Sequence, residues 1–306
     1  MLTLKGLERD LLTALLDEAQ NFVTPNGSIA RRSDSLAGRT VANLFFEPST
    51  RTRASFDLAA KRLGADVLNL DVNTSSRKKG ESILDTIYTL QAMQVDVMVI
   101  RDASAGVPAF IARHVEDHVS ILNAGESDVS HPTQGLLDLL TIRQRLGDIS
   151  NLTVAIVGDV AHSRVACSAV QGLHTLGVRE IRLVSPAALA PDAEKMPFAK
   201  ITDDLDAGLR GANVVMALRI QRERIADLDG IPDVDDYYAS YGITHARLKQ
   251  AADDVIVMHP GPMNRGIEIE SSLADSPSSV ITQQVSNGVA VRMAVLERVI
   301  KSMAAN

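Results

Sequence analysis

The densest run of chemistry-bearing residues is Phe45-Phe46-Glu47-Pro48-Ser49-Thr50-Arg51-Thr52-Arg53-Ala54-Ser55-Phe56. An apolar strand ends, a proline turns the chain, and Ser49 in N-cap position opens a helix whose first turn reads Thr-Arg-Thr-Arg. A helix N-terminus presents unpaired backbone N–H groups and the positive end of the helix dipole. Hydroxyls and guanidinium groups added at that spot make a cradle for a phosphate-sized anion. The bland alternative is a capping serine beside solvated arginines. Capping, however, asks only for Ser49 and not for the alternation of Thr and Arg that follows.

Composition narrows what such a cradle can serve. The 31 Lys and Arg against 38 Asp and Glu leave a formal charge of −7, so no global positive field exists to hold nucleic acid or an anionic membrane. Any anion must be met locally. With six Phe, four Tyr and no Trp, the stacking platforms of single-strand readers are missing as well. The single cysteine, Cys167, supports neither an internal disulfide nor a thiolate metal cluster, so nothing requires an oxidising compartment and the chain is expected to be cytoplasmic. No metal and no cofactor are expected. Charges at Arg9, Asp10, Asp17 and Glu18 make the N-terminal segment an amphipathic helix and not a signal peptide. No apolar run approaches the roughly 20 residues needed to span a bilayer. His114 and His118 lack a third ligand and read as surface residues.

The elements that must position the cradle follow from periodicity. At roughly 150 residues per domain, 306 residues make two domains. Short β-branched runs alternate with segments of helical period, which predicts an α/β fold with parallel sheets. Strands are expected near 40–46, 66–70, 95–100 and 119–122, then near 153–157, 181–184, 213–217 and 255–257, with helices near 50–63, 81–91, 104–113 and 133–146. The turn cluster Gly147-Asp148-Ile149-Ser150-Asn151 separates a first domain, 1–147, from a second, 151–283. From Gln284 onward, Val285, Val289, Met293, Leu296, Ile300 and Met303 share one helical face, so the terminal helix 284–306 must pack on something already built and is assigned to the first domain. The expectation is two similar domains, each a parallel sheet flanked by helices, with the active site in the cleft between them.

The run from Phe45 to Arg53 also carries a family likeness. F-x-E-P-S-T-R-T-R resembles the carbamoyl-phosphate motif of the aspartate and ornithine carbamoyltransferases, and the likeness extends along nearly the whole chain. In the family's order stand Asn73 to Glu81, Arg101 at a strand end, His131-Pro132-Thr133-Gln134, Val157-Gly158-Asp159 followed by Arg164, Leu218 to Arg224, and His259-Pro260-Gly261-Pro262. The ornithine members' Ser-Met-Gly and His-Cys-Leu-Pro segments are absent. Arg164, Arg219 and Gln221 instead resemble the dicarboxylate-binding residues of the aspartate members, and guanidinium forks suit two carboxylates.

The resemblance implies attack of the α-amine of L-aspartate on carbamoyl phosphate, giving N-carbamoyl-L-aspartate and phosphate with no covalent enzyme intermediate. It implies that Ser49, Thr50, Arg51 and Thr52 hold the phosphate, with Arg51 neutralising the leaving group. Thr52, Arg101 and His131 would surround the carbonyl oxygen, where negative charge grows. Gln134 and the backbone of Pro260 and Gly261 would accept from the carbamoyl NH2, with Pro262 completing that wall. Lys79, Arg164, Arg219 and Gln221 would hold aspartate. In the family the segment around Ser75 and Lys79 reaches the neighbouring subunit's site, which implies a homotrimer. Arg222 and Arg224 read as a solvated loop, and His259 as shaping a strand-end turn.

Two departures stand out. Gly261 replaces the Leu of bacterial members that carry zinc-bearing regulatory chains, and Ser76-Arg77 replaces their Leu-Gly. Neither removes a side chain assigned to chemistry, but both leave open whether a separate regulatory or partner chain exists. Competing readings are an ornithine carbamoyltransferase, a non-catalytic homologue acting as a scaffold, and a nucleotide-binding dehydrogenase. The scaffold reading predicts losses from the Ser-Thr-Arg-Thr, Lys79 and Arg219 set, and none has occurred. The dehydrogenase reading is weak because no Gly-x-Gly-x-x-Gly follows Val154 to Asp159.

Overall fold

The first half of the chain builds β1 (Thr40–Phe45), β2 (Asp66–Leu70), β3 (Val97–Asp102) and β4 (Ser120–Glu126), all parallel, in the order β2-β1-β3-β4. This computed structural model describes residues 1–24, 27, 32–70, 82–222, 225 and 230–305. Helix α1 (Arg9–Asn21) precedes the sheet, and α2 (Thr50–Arg62), α3 (Ile83–Ala92) and α4 (Val107–Ala112) connect its strands. Ser82 starts α3 with a reciprocal capping box to Asp85. Helix α4 is shorter than the 104–113 expected, because its N-cap, Gly106, sits at φ 82°, outside helical space. His114 and His118 therefore lie beyond its end, both exposed.

The second half builds β5 (Thr153–Val157), β6 (Glu180–Val184), β7 (Lys200–Thr202), β8 (Val214–Ala217) and β9 (Ile256–Met258), again parallel, in the order β7-β6-β5-β8-β9. β5 and β8 are buried along their whole length, so they read as continuous apolar runs without alternation. Edge strand β7 escapes sequence reading because Lys-Ile-Thr is short and nowhere fully buried. Helix α5 (Pro132–Leu146) precedes this sheet. α6 (Arg164–Thr175), α7 (Leu205–Leu209), α8 (Val234–Tyr241), α9 (His245–Leu248) and α10 (Ser271–Ala274) accompany the sheet, and α11 (Ile281–Ala305) closes the chain.

Two compact units result, one of Met1–Leu137 with Ser286–Asn306 and one of Asp138–Val285. The core of the first includes Ala42, Leu44, Ile87, Met98, Ile100 and Ile121; that of the second includes Ala155, Val184, Leu209, Val215 and Val257. Along α11, Val289, Met293, Leu296 and Ile300 are buried as their spacing predicts, but Val285 is 59% exposed. Gln284 turns inward there instead. Its amide accepts from the His259 N–H at 2.9 Å and donates to Asp138 Oδ1 at 2.8 Å. Buried polar groups on that side require a polar partner, which a valine cannot be.

In each sheet the strand order reverses at one place, between β1 and β3 in the first and between β5 and β8 in the second. Open parallel sheets bind ligands beyond the carboxyl ends of their strands at such a reversal. Ser49 to Thr52 follow β1 and Arg101 lies near the end of β3, whereas Arg164 and Arg219 follow β5 and β8.

Candidate active site

In the first unit, β1 runs out through Glu47 and Pro48 into Ser49, whose extended backbone (φ −161°, ψ 94°) is the N-cap of α2. The Ser49 hydroxyl makes no capping bond to the helix. Thr50, Arg51 and Arg53 are exposed at the first turn, whereas Thr52 is buried. The helix start therefore offers its N–H groups, hydroxyls and a guanidinium toward solvent without spending Ser49 on its own cap.

Arg101 stands opposite Phe45 in the β1–β3 register. Its Nη2 donates to Glu47 Oε1 at 2.6 Å and its Nη1 to the Ala124 carbonyl at 3.3 Å, with only 12% of the side chain exposed. Glu47 thus sets the direction of the guanidinium across the point where the strand order reverses. Glu47 stands in the sequence motif without a task of its own there; an acid inside a basic run is the signal that points to one. At the end of β4, Glu126 and Ser130 exchange backbone hydrogen bonds around a turn with Ser127 at φ 44°. That turn returns the chain to the strand end, so His131 follows directly and is buried. Its carbonyl accepts from the N–H groups of Gln134 and Gly135 to start α5, and Pro132 fits the first helical position because no N–H is needed there. Neighbouring strands stand about 4.8 Å apart. The start of α2, Arg101, and His131 with Gln134 therefore line one edge of one sheet.

In the second unit the set is assembled from separated segments. After β5, Gly158 has φ 130°, and a Cβ there would lie 2.2 Å from the Leu218 carbonyl oxygen, so only glycine lets the ends of β5 and β8 approach. Asp159 is fully buried. Its Oδ1 accepts from the His162 N–H and lies 2.8 Å from His162 Nδ1, and its Oδ2 accepts from the Gln221 N–H at 2.9 Å. Gln221 Nε2 donates to the His162 carbonyl at 2.8 Å. One carboxylate thus ties the loop after β5 to the segment after β8. Ser163 caps α6 by accepting from the Ala166 N–H, and Arg164, the first residue of that helix, is buried. Arg219 is half-buried, and Arg222 is exposed with a bond to the Pro232 carbonyl. Burial, with the charges of Glu268 and Asp159 adding to it, holds the Tyr237 hydroxyl well above the usual phenol range and so protonated.

After β9, which lies beside β8, come His259, Pro260, Gly261 at φ 67° and Pro262. Pro260 and Gly261 are half-buried and Pro262 is exposed. Ser75 and Lys79 lie outside the described residues, as do Asn73 to Glu81 and Arg224. Among the described residues no three His, Cys, Asp or Glu side chains gather as metal ligands, and no helix is long and apolar enough to cross a membrane.

Taken by its chemistry, the first unit presents an oxyanion cradle with an oriented arginine and a buried histidine beside it. The second presents two arginines, Arg164 and Arg219, and an amide, Gln221, whose backbone N–H is held by the buried Asp159. Comparison with known proteins agrees with that division. Residues 1–144 match the family model described as aspartate/ornithine carbamoyltransferase, carbamoyl-P binding domain, and residues 150–299 match the corresponding Asp/Orn binding domain. Aspartate transcarbamoylase from Trypanosoma cruzi, solved in complex with carbamoyl phosphate, is 31% identical with a TM-score of 0.86, over 97% of this chain and 95% of that one. The same enzyme solved with carbamoyl phosphate and aspartate is 30% identical with a TM-score of 0.86, over 97% and 94%. Ornithine carbamoyltransferase from Thermus thermophilus is 26% identical with a TM-score of 0.84, over 96% and 97%.

Proposed function

The chain belongs to the aspartate/ornithine carbamoyltransferase family, and from that premise we propose that it transfers the carbamoyl group of carbamoyl phosphate to the α-amine of L-aspartate. The products are N-carbamoyl-L-aspartate and phosphate, a step of de novo pyrimidine synthesis. The observation that carries the choice of aspartate is the pair of arginines, Arg164 at the start of α6 after β5 and Arg219 after β8, with Gln221, whose N–H is held by Asp159, at the carboxyl edge of the second sheet. A dicarboxylate needs two such forks, whereas a cationic amino acid would be repelled by them.

Carbamoyl phosphate is already activated, so the protein's task is to bring two anions together and stabilise charge as it moves. Ser49, Thr50, Arg51 and Thr52 with the α2 N–H groups hold the phosphate, and Ser75 joins them. As the amine attacks, negative charge grows on the carbonyl oxygen, where Thr52, Arg101 and His131 supply donors. The bond to phosphate then breaks, Arg51 neutralises the departing dianion, and the phosphate takes the amine proton. Gln134 and the Pro260 and Gly261 carbonyls accept from the carbamoyl NH2, which orients the carbonyl carbon toward the amine.

The deciding assay offers the enzyme L-aspartate and L-ornithine with carbamoyl phosphate. Aspartate should be carbamoylated and ornithine should not; a preference for ornithine overturns the assignment. The family reading also makes the protein a homotrimer in which Ser75 and Lys79 serve the neighbouring subunit. Mixing inactive Arg51→Ala and Lys79→Ala proteins under subunit exchange should restore part of the activity, and no recovery despite verified exchange rejects the sharing.

A further inference from the structure

The segment after β9 supplies backbone carbonyls, not side chains, to the proposed reaction. Loop carbonyls hold a direction only if the loop is held. Here the holding group is a buried pair, His259 and Glu268, each with 1% of its side chain exposed. The Gly261 N–H lies 2.8 Å from His259 Nδ1. A backbone N–H can only donate, so Nδ1 carries no proton. The ring proton therefore sits on Nε2, 3.0 Å from Glu268 Oε1, and is donated to it. The same carboxylate oxygen accepts from the Asn264 N–H at 2.5 Å. At the other end of the segment, the His259 N–H is fixed by Gln284 Oε1 at 2.9 Å. The stretch from His259 to Asn264 is thus pinned at its start, at Gly261 and at its end, and two of the three pins pass through Glu268.

We infer that Glu268 and His259 are positioning residues: Glu268 selects the Nε2–H tautomer of His259, and the bare Nδ1 pins the Gly261 amide so that the Pro260 and Gly261 carbonyls face the carbamoyl NH2. This rests on the carbamoyl-transfer reading above. The logic is that of a carboxylate orienting an imidazole whose other nitrogen does the work. With Glu268 gone, a proton on Nδ1 would oppose the Gly261 N–H, donor against donor, and the amide would lose its direction. Neither residue touches the phosphate, which is held by the α2 N-terminus.

Two substitutions at one position separate this role from general packing. In His259→Asn the side-chain oxygen falls near the place of Nδ1 and still accepts from Gly261. In His259→Gln the amide reaches toward Glu268 and leaves the Gly261 N–H without its acceptor. The KM for carbamoyl phosphate should stay within about threefold of wild type in His259→Asn and rise about tenfold or more in His259→Gln and in Glu268→Ala. The inhibition constant of inorganic phosphate should not change in any of them. Equal damage in His259→Asn and His259→Gln overturns the inference, and so does a phosphate constant that rises in step with the KM. Nitrogen-15 histidine spectra of the full-length wild-type protein, with the signal assigned by its loss in His259→Asn, give a test that needs no variant to be active. An Nε2–H pattern supports the pair and a protonated Nδ1 rejects it. Absence of carbamoyl transfer by the wild type would remove the function instead, a result distinct from a wrong tautomer in an active enzyme.

Discussion

In the first unit the groups proposed to hold phosphate, Ser49 to Thr52, are consecutive and sit on a helix start that needs no other segment to give it shape. In the second, Arg164 and Gln221 arrive from opposite flanks of the β5/β8 reversal, and Asp159, a buried acid, bonds to His162 on one flank and to Gln221 on the other. The serines show the same contrast. Ser163 is spent on capping its own helix, whereas Ser49, at the matching position of α2, makes no capping bond. An anion site can therefore be made from local backbone geometry or assembled from distant pieces by an internal counter-charge. The two are vulnerable to different changes.

The sharpest break comes from Arg51→Ala, which should lower turnover about a thousandfold, the scale of losing one donor to developing oxyanion charge, and leave stability unchanged. Steady-state kinetics beside urea denaturation checks it, and normal activity would sink the phosphate assignment. Asp159→Ala should do the reverse in kind. It leaves the His162 and Gln221 N–H groups without their acceptor, so unfolding should become easier by about 3 kcal/mol. The KM for aspartate should rise while phosphate inhibition holds. If stability and the aspartate KM are both unaffected, the second site is not assembled through that acid.

The serine pair sharpens the comparison at smaller scale. Ser163→Ala should cost about 1 kcal/mol of stability through the lost cap. Ser49→Ala should stay within about 0.5 kcal/mol while weakening carbamoyl phosphate binding, as measured by denaturation and KM. Matching stability losses in the two would erase the distinction. The smallest effect is remote from both sites. Glu180 accepts from Arg182 at 2.8 Å and from Lys200 at 2.6 Å, tying edge strand β7 to β6, and these bonds hold its carboxyl down to about 2. Because the folded value lies below the unfolded one, the stabilisation is full above about pH 4.5 and fades as the pH falls toward 2. Glu180→Gln should therefore cost up to about 1 kcal/mol at pH 7, with the gap to wild type closing across that acid range in pH-dependent denaturation, and no change in aspartate KM.

Most of the scaffold was legible because apolar runs and helical periods are local. Apart from β7, every strand lies at or near its expected position, and the carbamoyl-phosphate motif could be read from adjacent residues. What escaped was short, polar or dependent on a distant neighbour. β7 has no apolar run to betray it. Val285 fits the apolar face of α11 by spacing, yet Gln284 takes the inward place because the His259 amide and Asp138 stand there.

The sequence by itself determined the two parallel sheets, the helix start proposed to hold phosphate and the residue types at the second site, since each depends on neighbours within a turn or a strand. Only the tertiary structure decided what Glu47, Asp159 and Glu268 do, because a carboxylate's task is defined by the donors that surround it. Those donors, at Arg101, Gln221 and His259, come from other strand ends that only folding brings within hydrogen-bond distance.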